Sequence, residues 1–149
     1  MMNVTNPAFV AYALACVVLC LNLLFLWNWS GAVRARSKTT LNPEDAKTVS
    51  KGAGLVEGDP AAVARVLRAH RNAADNTVIF FVLGALYVIT GASARGAQIY
   101  FGVFTGARIL HTITYLGEAQ PWRSMFYGIS VLATLGLVVQ VVMHVLGGG

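Results

Sequence analysis

Arg108, His111 and Tyr115 recur at i, i+3 and i+7, which sets a guanidinium, an imidazole and a phenol on one helix face. Arg68, Arg71, Asn72 and Asp75 follow at i, i+3, i+4 and i+7 and make a second polar stripe about two turns long. Arg123, Ser124 and Tyr127 fall within one turn of each other, and Arg34 and Arg36 close an apolar run. Guanidinium groups in such numbers suit oxyanions, because each forks onto a carboxylate or phosphate through two N–H donors. The acids nearby are Glu44, Asp45, Asp75 and Glu118, set against Arg34, Arg68, Arg71, Arg108 and Arg123. That excess calls for an anion from outside the chain, either a lipid headgroup or a small polyanionic cosubstrate. Cys16 and Cys20 share one apolar run, so neither a disulfide scaffold nor a four-cysteine zinc site is available. No metal is expected.

The elements that carry these stripes are long and apolar. Residues 1–33, 76–94 and 124–149 hold no charged side chain, and 96–117 is equally apolar except for Arg108 and His111. About 20 helical residues cross roughly 30 Å of hydrocarbon. Four transmembrane helices are therefore expected, near 7–32, 62–91, 96–117 and 122–146, in one domain spanning 1–149. The first lacks the basic start of a secretory signal and runs past its usual apolar length. Hydrophobic residues make up 56% of the chain and charged residues 11%, too few to clothe a water-soluble globule.

The polar loop, about 34–60, contains NPEDA at 42–46, a helix start with Asn42 as cap, and Asp59–Pro60, a second start signal. Its basic residues place it in the cytoplasm by the positive-inside tendency. No nucleic-acid motif accompanies the net charge of +5, so topology and the anion pocket account for it. Arg108 lies roughly 10 Å inside the membrane end of its helix at about 1.5 Å per residue. A central Arg costs about 2.5–3.5 kcal/mol to insert, so a partner or a function must retain it. Gly102 and Gly106 form a GxxxG, read either as close helix approach or as chance in a Gly-rich chain.

The run VLRAHRNAADN (66–76), an apolar span, and then GARILHTITYLGEAQPWRS (106–124) resemble the MAPEG superfamily, membrane-associated proteins in eicosanoid and glutathione metabolism. The likeness covers about residues 33–128 and is nearest the branch of microsomal glutathione transferase and microsomal prostaglandin E synthase. It implies an all-α integral membrane four-helix bundle, assembled as a homotrimer, with glutathione bound between subunits near the cytoplasmic face. On that resemblance Arg34, Arg68, Arg71, Asn72, Asp75, Arg108, His111, Tyr115 and Tyr127 would form the glutathione pocket. Arg123 and Ser124 would face the thiol, and Asp45 matches an acid implicated near it. The implied activity is a membrane glutathione transferase acting on lipophilic electrophiles from the bilayer lipid, with lipid hydroperoxide reduction as a companion. The alternatives are a prostaglandin-E-synthase-like isomerase and a non-catalytic lipid-binding member.

Two departures bear on this. The family pattern Asn-Asp-x-Glu reads Asn72, Ala73, Ala74, Asp75 here, with a shorter acid and one polar partner removed. A polar residue one turn beyond Tyr127 in the prostaglandin synthase is Val131 here, which disfavours the isomerase.

Overall fold

The computed structural model describes residues 5–147. Its elements run α1 (Pro7–Ser37), β1 (Thr39–Thr40), α2 (Pro43–Lys47), β2 (Gly54–Leu55), α3 (Ala61–Ile89), α4 (Ala94–Leu116) and α5 (Trp122–Leu146). The protein is all-helical apart from the β1–β2 ladder, a two-residue parallel pairing of Thr39 with Gly54 and Thr40 with Leu55.

Side-chain caps explain two of the helix starts. The Asn6 side chain accepts from the Ala8 amide at 2.9 Å, ahead of Pro7 in the first turn of α1. Ser93 caps α4 in the same way through the Gly96 amide at 3.0 Å. Asn42 departs from expectation: it makes no side-chain cap bond, and its amide donates to Asp45 Oδ2 at 2.9 Å instead. Pro60 occupies the cap of α3, and Asp59 turns away to pair with Arg34, 2.7 Å from its Nη2. That pair draws the end of α1 to the base of α3 and fixes where the polar loop returns. α1 reaches Ser37, beyond the end near 32 that the charges suggest, so Arg34 and Arg36 sit on the helix itself.

The core is aromatic. Phe80 of α3 stacks on Phe104 of α4 with centroids 4.5 Å apart, and Phe101 meets Phe80 edge-on at 5.4 Å. Tyr12 of α1 donates to Phe81 O at 2.9 Å, and Gly84 lets its ring pack closely against α3. In contrast, Leu14, Leu21, Val78, Val82, Leu132 and Val142 point outward. A surface this apolar belongs in lipid. α1, α3 and α5 are each long and apolar enough to cross a membrane. α4 is long enough, at 23 residues, but Arg95 and Arg108 reduce its apolarity, so three such helices stand where four were expected. This is an integral membrane protein.

Candidate functional site

α3, α4 and α5 enclose a cleft of about 270 Å³ lined by Asn72, His111, Tyr115, Arg123, Ser124 and Tyr127. Each element supplies its residues by helical spacing. His111 and Tyr115, one turn apart on α4, contribute a buried imidazole and a half-buried phenol whose rings lie 5.6 Å apart. The Tyr127 ring of α5 is 6.1 Å from His111. α5 begins at Trp122, so Arg123 and Ser124 occupy its first turn, where the helix dipole is positive and amide hydrogens lack intrahelical acceptors.

Arg123 is held from two sides. Its guanidinium lies over the Tyr115 ring at 4.8 Å from the centroid. The Gln120 amide, with its oxygen toward the guanidinium, accepts from Arg123 Nη2 at 2.6 Å and Nε at 3.1 Å. In that orientation its nitrogen donates to Ser124 Oγ at 3.1 Å. Gln120 therefore joins the two residues expected to face a thiol, a role that sequence reading missed. The signal available was its spacing of three and four residues from Arg123 and Ser124, across Pro121.

Asn72 enters from α3, where Arg108 of α4 grips it. Arg108 Nη2 donates to Asn72 Oδ1 at 2.7 Å and to Asn72 O at 3.1 Å. Arg108 is 1% exposed and does not line the cleft. The partner expected from outside the chain is thus in part a neutral residue within it. Behind this pair, Asn22 of α1 donates to Thr112 Oγ1 at 3.1 Å, so buried polar contacts tie α4 to both α1 and α3.

The remaining candidates lie elsewhere in the single chain. Arg68, Arg71 and Asp75 are exposed along α3, above the outward-facing Val78 and Val82. Arg34 lines a separate cleft of about 430 Å³ between the end of α1 and the loop at 49–53, with Lys38 and Lys51. Asp45 stays half-buried in α2, bonded to Asn42. Neither these five nor Arg108 reaches the walls of the α3–α5 cleft.

The cleft wall carries one permanent cation, several neutral donors and no carboxylate. Such a set receives an anion or a group that ionises on binding, a thiol included. Among the described residues no three His, Cys, Asp or Glu side chains gather as a metal site.

Residues 12–143 match the model of the MAPEG family. Prostaglandin E synthase of Homo sapiens is 34% identical over 138 residues, covering 92% of this chain and 90% of that protein. Microsomal glutathione S-transferase 1 of Rattus norvegicus is also 34% identical over 138 residues, covering 91% and 87%. Prostaglandin E synthase of Equus caballus is 34% identical over 140 residues, covering 93% and 90%.

Proposed function

The chain belongs to the MAPEG family, and from that membership we propose that it is a membrane-bound glutathione transferase. It binds glutathione, ionises the thiol beside Arg123 and adds the sulfur to lipophilic electrophiles that arrive from the bilayer. The observation that carries this reading is the Gln120–Arg123–Ser124 cluster at the mouth of an acid-free cleft. Glutathione is treated as the cosubstrate because a relative is named for it, and because the donors present fit a thiolate.

The energetics are adequate. A free thiol titrates near 8.5, and lowering that by about two units takes about 2.7 kcal/mol. One guanidinium about 4 Å from the sulfur supplies on the order of 4 kcal/mol at an effective dielectric of about 20. The first turn of α5 adds to this, since a helix N-terminus favours an anion. Ser124 Oγ can turn its hydrogen to the same sulfur, because Gln120 treats that oxygen as an acceptor. Where the electrophile carries a leaving group, the thiolate pair forms the new carbon–sulfur bond, the bond from that carbon to the leaving group breaks, and the leaving group departs with the pair of the broken bond.

The two glutathione carboxylates and its ammonium need partners beyond this cleft. Arg34, Arg68, Arg71 and Asp75 fit those groups but stand apart from the cleft within one chain. We assign them to subunit boundaries in a homotrimer of four-span bundles, with the site near the cytoplasmic face. Asp45 is placed near the thiol on the same basis.

Prostaglandin E synthases match this chain at the same identity, which keeps the isomerase as a second reading. Incubation with a chloronitroarene and, separately, with a lipid endoperoxide separates them. Conjugate formation with the arene supports the transferase. Isomerised endoperoxide without any conjugate overturns it.

A further inference from the structure

Arg108 is the most deeply buried charge among the described residues, and no carboxylate lies within ion-pair distance of it there. Its Nε and Nη1 are buried with no hydrogen-bond partner. Its remaining nitrogen spends both contacts on a single residue, Asn72, through Oδ1 at 2.7 Å and the backbone oxygen at 3.1 Å. That backbone oxygen also accepts from Asn76 Nδ2 at 2.8 Å. A guanidinium only donates, so it dictates which end of the Asn72 amide faces it. With Oδ1 engaged, the polar atom left to Asn72 for the cleft it lines is Nδ2, which is a donor only.

We propose that Arg108 is a positioning residue that locks the Asn72 amide with its oxygen inward and its NH2 toward the cleft. The two orientations of a carboxamide are nearly equal in shape and opposite in polarity. With the oxygen outward, Asn72 would repel a carboxylate or a peptide carbonyl; with the nitrogen outward, it selects one. The buried guanidinium, without an acid to neutralise it, also polarises the amide and strengthens the bond that Nδ2 offers. Arg108 therefore acts on the cosubstrate through Asn72, without touching it. The affinity part of this inference rests on the glutathione reading above; the orientation part does not.

The test uses the full chain in detergent micelles, with the variants Arg108→Met, Arg108→Lys, Asn72→Ala and the Met–Ala double variant. Calorimetric titration with glutathione is expected to show affinity falling about tenfold in Arg108→Met and in Asn72→Ala. The double variant should be no weaker than the worse single one, because both remove the same bond. Arg108→Lys, which keeps a donor, should recover part of the loss. Additive losses, or an unchanged affinity in Arg108→Met, would overturn the proposal. In ligand-free protein with 15N-labelled asparagine, the Asn72 side-chain NH2 resonance should move in Arg108→Met and move less in Arg108→Lys. An unmoved resonance overturns the proposal whether or not glutathione binds. Wild-type protein that ignores glutathione sinks the transferase reading and leaves that resonance to decide the orientation. Should Arg108→Met fail to fold, the same resonance in Arg108→Lys decides: a shift from its wild-type position supports the lock, and no shift overturns it.

Discussion

The guanidinium of Arg123 rests on the ring face of Tyr115, 4.8 Å from the centroid, so α5 and α4 share one cation–π contact at the mouth of the cleft. Contact through the ring face fixes the cation without using its in-plane hydrogens. Gln120 takes Nε and Nη2, and the proposed contact with the glutathione sulfur falls to Nη1.

Gln120→Ala removes both acceptor bonds and frees the guanidinium to swing away. The expected outcome is about a tenfold fall in kcat/KM for glutathione conjugation, with helix content unchanged by circular dichroism. An unaltered kcat/KM would show that Tyr115 alone holds the cation.

Asp75 is exposed on α3, and its carboxylate stands one methylene closer to the backbone than a glutamate's would. Lengthening it by Asp75→Glu should tighten glutathione binding by roughly threefold to tenfold, as the carboxylate reaches the ammonium. Calorimetry reads this directly, and weaker binding would show a pocket adapted to the shorter acid.

Arg34 and Arg123 line different clefts of one chain. If they meet across a subunit boundary, co-assembling Arg34→Ala chains with Arg123→Ala chains rebuilds some complete sites. Activity in the mixture should then exceed that of either variant alone. Equal inactivity in all three samples would place both arginines in the service of the same chain's site.

Phe80 is fully buried between Phe101 and Phe104. Phe80→Ala should cost about 3–5 kcal/mol of stability, seen as a lower thermal midpoint in detergent. Glutathione affinity of the folded fraction should change little, because the rings that Phe80 packs against, Tyr12, Phe81, Phe101 and Phe104, lie outside the cleft's lining.

The sequence made the cleft legible where function follows helical spacing. His111 with Tyr115, and Arg123 with Ser124 and Tyr127, are grouped by turns of single helices, and the apolar runs located those helices. Contacts made by the loop were not legible. Arg34 and Asp59 meet because the segment at 38–56 folds back through a ladder of two residues per strand, too short to show any alternation. Gln120 carries no helical signal because it precedes Pro121 and so lies outside the helix whose first-turn residues it binds. The Arg108 partner is not legible in composition, which counts charges, because it is a neutral amide oxygen on α3 that faces the guanidinium.

The most direct measurement follows the ultraviolet thiolate band of bound glutathione as pH is varied, in wild-type protein and in Arg123→Ala. In the wild type, the bound thiol should ionise about two units below its free value near 8.5. A lowered thiol is a thiolate that persists as pH falls, and in Arg123→Ala the band should be lost near neutral pH and return only as pH approaches 8.5. The same low-pH titration in both proteins, with glutathione fully bound, would contradict the assignment of Arg123 to the sulfur.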